Sequence, residues 1–283
     1  MNDSARRLLR GAWRALRQAS GRGGPTTAPA EQTPGAEMVG RLDYEGAEIM
    51  LSTPSKTAQS RLRGCAKEPW TVQWIEDWIR PDEVLYDIGA NVGAYSLVAA
   101  LSPAVRARVV ALEPGYPTFA ALSDNVVRNG AQDRVTALPV ALGRSTTLEI
   151  LHLRTLDAGA ALHTLGGHEG PSGAAYRQPV MTFRLDDLVE RFGLPDPAHV
   201  KLDVDGTELD VLAGAERTLS DPSLRTVLTE LDDKEAGQLE AVLAGHGLHL
   251  RERFRREKRN LGPDGSDAPQ PPAYGLFTRG GAT

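Results

Sequence analysis

The sequence predicts a doubly wound α/β fold whose mostly parallel sheet is closed by an antiparallel C-terminal strand. Three observations carry this. After Pro81, short apolar runs alternate with stretches of helical periodicity, the rhythm of βαβ units. The runs lack polar alternation, as expected of strands covered by helices on both faces. The first of them breaks at once into a glycine-containing turn that opens a helix.

Taken in order, the first twenty-two residues hold six arginines against one acid, in a chain of 283 residues whose net charge is -5. Leu9, Trp13 and Leu16 follow helical spacing, so residues 1–20 read as a basic amphipathic arm. Two readings stand: peripheral contact with an anionic membrane, or a solvated extension without a partner. The arm lacks the apolar stretch of a secretory signal. Residues 21–37, rich in Gly, Pro and Thr, read as a flexible linker. Residues 38–283 then form one domain, with its motif-bearing core over 81–280. Ile49 to Leu51 reads as a short strand, and Thr71 to Ile79 as a helix stopped by Pro81. Strands follow over Val84–Asp87, Val109–Leu112, Val135–Val140, Val200–Leu202 and Thr226–Leu228, with a closing pair at Leu248–Phe254 and Tyr274–Thr278. The rhythm is broken by an insertion from Leu148 to Phe183 that carries a Gly- and His-bearing loop.

Composition narrows the function classes. Hydrophobic residues at 41% and charged residues at 24% are ordinary globular usage, and no apolar run reaches the length of about 18 residues that a membrane span needs. The acidic balance argues against nucleic acid as a partner. A single cysteine, Cys65, excludes a disulfide framework and a multi-thiolate zinc site, which fits a reducing, cytoplasmic location. Only five of the 32 cations are lysines. The arginine excess reads as coding bias, so an isolated arginine carries little weight.

The segment Val84-Leu-Tyr-Asp87-Ile-Gly89-Ala90-Asn91-Val-Gly93 is a strand running into a turn where a ligand can approach backbone N–H groups. A dinucleotide fingerprint needs G-x-G-x-x-G, but Asn91 and Ala94 occupy its second and third glycine positions. Asp87 also puts a carboxylate where a pyrophosphate would lie, which suits a ligand bearing an ammonium group instead. The next strand ends at Glu113-Pro114, where a carboxylate can accept both hydroxyls of a ribose. An ammonium partner and a ribose partner on consecutive strand ends describe S-adenosylmethionine.

The string Asp87-Ile-Gly-Ala-Asn-Val-Gly-Ala-Tyr-Ser96 resembles the first motif of the FkbM-type family of class I S-adenosylmethionine-dependent methyltransferases. Lys67-Glu-Pro-Trp-Thr71, Phe183-Arg-Leu-Asp186-Asp187-Leu and Val200-Lys-Leu-Asp203-Val-Asp205-Gly206-Thr-Glu208 are similar to further motifs of that family, so the likeness runs from about Cys65 to Leu231. It implies a Rossmann-like class I methyltransferase fold and a transferase that methylates a hydroxyl of a glycan or secondary metabolite. N-methylation on the same fold, or a non-catalytic binding protein, is the alternative. It also implies that Asp87, Gly89, Ala90, Asn91 and Gly93 hold the methionine end. Glu113 with Pro114 would hold the ribose, and the adenine would lie near Val140, Ala141 and Leu142. Asp203 would border both cofactor and acceptor.

Two routes for removing the hydroxyl proton remain open from the residues. A divalent metal such as Mg²⁺ has Asp203, Asp205 and Glu230 as candidate ligands; metal-dependent methyltransferases that this arrangement resembles place two adjacent ligands where Glu230 is followed by Leu231, and Asp205-Gly206-Thr207-Glu208 as a turn and helix cap is the stronger reading. A histidine base would come from His163 or His168 in the insertion loop, acting as a lid. Finally, the basic run Arg251 to Arg259 suggests a rim for an anionic small-molecule or glycan acceptor.

Overall fold

A computed structural model describes residues 38–161, 163–166, 174–255 and 273–280. The expected arm and linker, His168, Arg256, Lys258 and Arg259 lie outside the described residues. A small antiparallel pair, β1 (Val39–Arg41) and β2 (Met50–Ser52), comes first. Helices α1 (Lys56–Arg61), α2 (Gly64–Lys67) and α3 (Pro69–Trp78) follow. Pro69 takes the first turn of α3, where its missing N–H costs nothing, so that helix starts earlier than apolar spacing alone indicated.

The core then alternates: β3 (Val84–Ile88), α4 (Ala94–Leu101), β4 (Arg108–Leu112), α5 (Tyr116–Arg128) and β5 (Val135–Leu138). The insertion supplies β6 (Ala141–Leu142), β7 (Thr147–Leu153), β8 (Thr164–Leu165) and β9 (Tyr176–Phe183), which form their own four-stranded sheet in the order β6-β9-β7-β8. After it come α6 (Leu185–Phe192), β10 (His199–Leu202), α7 (Glu208–Ala213), α8 (Glu216–Ser220), β11 (Thr226–Leu231), α9 (Ala236–Gly245), β12 (Leu248–Arg255) and β13 (Ala273–Arg279). The main sheet has seven strands in the order β12-β13-β11-β10-β3-β4-β5. Its first five strands in chain order are parallel, and β13 inserts antiparallel between β11 and β12. This is the doubly wound arrangement expected from the sequence. The run expected as a strand to Val140 divides at Leu138 because Ala141 and Leu142 pair with β9 of the insertion.

Both faces of the sheet are covered. Trp74, Ile75, Leu97 and Val98 pack on Leu85, Val109 and Ala111, while Tyr86, Ile88, Val110 and Leu112 face Leu188, Val211 and Leu219. Strand alternation therefore turns Asp87 to the same face as Leu85, under α4. The Asp186 carboxylate accepts from Arg217 N (2.8 Å), Thr218 N (2.9 Å) and Thr218 Oγ1 (2.7 Å). That motif thus ties α6 to α8, a role in the scaffold.

At the opposite edge from the glycine turn, His199 is fully buried, with Nδ1 against Thr226 Oγ1 (2.7 Å) and Nε2 against Glu83 Oε2 (3.0 Å). Trp74 Nε1 donates to the same threonine hydroxyl (2.9 Å). Burial pulls the His199 imidazole down to about 4, outweighing the attraction of Glu83. The unfolded chain therefore binds a proton first as pH falls, and stability present above pH ~6.5 is lost down to pH ~4 by about 3 kcal/mol. Urea midpoints at pH 7 and 4.5 for wild type and His199→Gln test this. The variant's midpoint is expected to fall less over that interval.

Candidate active site

The carboxyl edge of the sheet is set by register. Ile88 aligns with Leu112 on one side and Leu202 on the other, and Leu202 aligns with Thr229. The next residue of each strand forms a row across the sheet: Glu113, Gly89, Asp203, Glu230. Gly89 N donates to Leu112 O (3.0 Å) and Asp203 N to Ile88 O (3.1 Å), which fixes the row at its centre.

Gly89 has φ of 81°, and a Cβ there would stand 1.9 Å from the Asp203 carbonyl oxygen. Asn91 is also left-handed, at φ 52°. Its Oδ1 accepts from Val92 N (3.0 Å), and its Nδ2 donates to Ala160 O (3.0 Å). The middle position of the turn thus supports its own left-handed backbone and grips the insertion. Gly93 opens α4 at φ 83° with Leu122 close beneath.

Glu113 is buried, its Oε2 accepting from Asn91 N (3.1 Å) and Oε1 from Gly115 N (2.8 Å). Burial lifts this carboxyl to about 7 despite those two bonds. Each oxygen keeps a further lone pair for an incoming hydroxyl. Pro114 offers its carbonyl to Gln178 Nε2 (2.7 Å) of the insertion, and Ala141 is buried in β6.

Asp87 is 1% exposed, and Ser96 Oγ donates to its Oδ2 (2.6 Å). Its Oδ1 accepts no hydrogen bond among the described residues, although Lys201 Nζ stands 3.8 Å away. Lys201 is the partner residue that sequence reading missed. It lies directly across from Asp87 in the ladder, is 2% exposed, and donates to Asp203 Oδ2 (3.0 Å). Burial works to lower the Lys201 ammonium, but Asp203 and Asp87 hold it above its ordinary value. Burial likewise works to raise Asp203, yet Lys201 holds it below the usual range, while Asp87 is raised by its burial.

Glu230 ends the row. Tyr274 Oη, from β13, reaches both Glu230 Oε2 and Asp203 Oδ2 at 3.4 Å. Burial, then the charges of Asp203, Glu208 and Asp205, push Glu230 up to about 8. Glu208 itself turns inward, its Oε1 accepting from Val204 N (3.1 Å) and Gly206 N (3.4 Å). Among the described residues, no three His, Cys, Asp or Glu side chains converge to hold a metal ion, the trio Asp203, Asp205 and Glu230 included.

His163 stands at the other end of the row. Its ring lies 3.9 Å from where a Gly115 Cβ would be, and its Nδ1 accepts from Arg154 N (3.4 Å). Burial and then Arg154 lower its affinity for a proton. The insertion is clamped over the turn through three successive carbonyls. Ser55 Oγ donates to Ala158 O (3.0 Å), Arg61 Nε and Nη2 to Gly159 O (3.1 and 2.8 Å), and Asn91 to Ala160 O. Arg61 was concealed by the arginine excess. By contrast, the described part of the basic run is spoken for: Arg251 lies 4.9 Å over the Trp78 ring, Arg253 pairs with Glu240, and Arg255 bonds Asp233 (2.7 Å).

The family model described as the methyltransferase FkbM domain matches residues 87–255, which span every member of the row. The chain belongs to the FkbM methyltransferase family. It is similar to the 31-O-demethyl-FK506 methyltransferase FkbM of Streptomyces tacrolimicus, 31% identical over 197 residues, covering 60% of this chain and 74% of that one. It is 30% identical over 229 residues to the 2-O-methyltransferase NoeI of Sinorhizobium fredii, covering 71% and 86%. Hexuronic acid methyltransferase AglP of Haloferax volcanii is 28% identical over 171 residues, covering 60% and 65%. In this FkbM-family protein the motifs at Asp87–Gly93 and Asp203–Glu208 stand at the carboxyl edge of the sheet, while that at Asp186 ties α6 to α8. Among the described residues no helix is long and apolar enough to cross a membrane.

Proposed function

We propose that the protein transfers a methyl group from S-adenosylmethionine to a hydroxyl of a sugar or secondary metabolite. The observation that carries the donor is the row itself, with a carboxylate at Glu113, an open-backbone turn at Gly89 and a further carboxylate at Asp203. The buried Asp87 Oδ1 that accepts no hydrogen bond among the described residues adds an acceptor for a donor group from a ligand. S-adenosylmethionine supplies the methyl group as an electrophile on a positively charged sulfur.

In this reading Glu113 accepts the ribose hydroxyls, and Pro114 and Gly115 carry the chain past them. Residues Gly89, Ala90, Asn91 and Gly93 receive the methionine end, with Asp87 beneath and Asp203 beside it. Ala141 lines the adenine side. His163, beside Gly115, belongs to the ribose rim. The clamp of Arg61 and Asn91 on residues 159 and 160 holds the insertion against the turn. Hydroxyl acceptors are supported by the family relatives whose names specify O-methylation.

Calorimetric titration of the full chain with S-adenosylmethionine tests the donor. Wild type is expected to bind, while Asp87→Asn and Glu113→Ala weaken binding by about tenfold or more, the scale of a lost hydrogen bond to a charged group. No binding by wild type, or undiminished binding by both variants, rejects the assignment.

A further inference from the structure

We propose that Glu230 takes the proton of the acceptor hydroxyl during methyl transfer, with Tyr274 and Asp203 as the positioning residues that hold its carboxyl group. This rests on the reading above, in which the methyl donor lies along the row from Glu113 towards Asp203. Neighbouring strands are about 4.8 Å apart, so three steps put Glu230 roughly 14 Å from Glu113. A donor whose ribose sits at Glu113 and whose methionine end crosses Gly89 presents its methyl group near Asp203. An acceptor oxygen must approach in line, from beyond the methyl group, and Glu230 is the next side chain of the row in that direction.

Asp203 is the weaker base of the two, because Lys201 Nζ bonds it at 3.0 Å and neutralises its charge. Glu230 faces Asp203 and Asp205 at the end of β10, Glu208 at the start of α7 and the Tyr274 hydroxyl of β13. Its carboxyl group thus stands beyond Asp203 on the side from which an acceptor hydroxyl would come. One further polar atom borders this end of the row without a hydrogen-bond partner among the described residues: Nε1 of Trp70, a residue 9% exposed whose ring lies 5.7 Å from that of Tyr274. It fits a site that is completed by a bound molecule.

In the step itself the acceptor O–H bond breaks and its proton passes to a Glu230 carboxylate oxygen. The new O–CH₃ bond forms as the S–CH₃ bond breaks, and that electron pair stays on sulfur. The products are the methyl ether, S-adenosylhomocysteine and a protonated Glu230 that returns its proton to solvent.

The test uses the full chain, S-adenosylmethionine, and two acceptor probes, p-nitrophenyl β-D-glucoside and p-nitrophenyl β-D-glucuronide, with release of S-adenosylhomocysteine as the readout. Glu230→Gln keeps shape and packing; its kcat is expected to fall about 100-fold or more while KM and the Kd for S-adenosylmethionine stay within about twofold. Glu230→Asp should recover part of the lost rate, and Tyr274→Phe should lower kcat without changing the Kd. A Glu230→Gln variant that turns over like wild type overturns the inference, as does one that loses donor binding in proportion to rate. Wild type that binds the donor but releases no product with either probe overturns the hydroxyl reading and this inference together. Wild type that binds no donor overturns the donor assignment first, and is recognised by calorimetry alone.

Discussion

Gly89→Ala is expected to cost this protein about 2–5 kcal/mol of stability and to abolish donor binding. Two penalties act at one atom. A left-handed φ of 81° disfavours any Cβ by about 1–2 kcal/mol. The added methyl would also stand 1.9 Å from the Asp203 carbonyl oxygen, a backbone atom that cannot swing aside as a side chain would. Relief must come from parting β3 and β10, which costs a further 1–3 kcal/mol in round terms, about the scale of core overpacking, and displaces Asp203 from the row. Gly130→Ala is the matched control. It shares the left-handed backbone, at φ 62°, but nothing lies within 4 Å of its Cβ, so only the conformational penalty remains. Urea denaturation of both variants, with S-adenosylmethionine calorimetry on the folded fraction, separates strain from collision. Equal losses in the two variants would show that the collision is relieved without cost.

Lys201→Met should be the most damaging loss of a single charge, at about 3–5 kcal/mol near pH 7, because it leaves buried carboxylates without their cation. Asp87 and Asp203 flank the ammonium at 3.8 and 3.0 Å. Lys201 depresses Asp203, so the stability tied to that ionised carboxylate is present above the ordinary aspartate range and is lost as pH falls through the lowered value. In the variant the same buried carboxylates lack their cation and take up protons above pH ~4, regaining stability there while wild type is unchanged, so the gap should narrow from pH 7 towards pH 4. Removing both partners, Lys201→Met with Asp203→Asn, should cost less than the sum of the single changes. Denaturation midpoints for the four proteins of this cycle, at pH 7 and pH 4.5, provide the measurement. Strict additivity at both pH values would reject the coupling.

Much of this architecture was legible from local pattern. Strands buried on both faces carry unbroken apolar runs, so β3, β4, β10 and β11 were found to within a few residues. That the glycine turn and the carboxylates Asp87, Glu113 and Asp203 stand at or just beyond strand ends was legible because each closes a short apolar run. Lys201 was not found, although it lies inside a recognised motif, because its meaning depends on Asp87 lying directly across the ladder, 114 residues earlier in sequence. Arg61 and Tyr274 carry no local signal either: one lies before the motif-bearing core, the other in the last strand. His163, a candidate base in a loop inserted before β10, stands beside Gly115, at the far end of the row from Glu230, a placement no local pattern could give.

The sequence by itself determined the class of fold, the turn at Gly89 to Gly93 and the family, because each is written in short-range spacing and residue type. Only the tertiary structure decided which carboxylates share a site. In a doubly wound sheet the fourth core strand returns to lie beside the first, so β10 meets β3 and β11 follows it. Chain order lists Asp87, Glu113, Asp203 and Glu230; strand order puts Glu113 at one end of the row, the turn after Asp87 beside Asp203, and Glu230 at the other end. Charge follows the same rule, since attraction and desolvation act through distance in space and not along the chain.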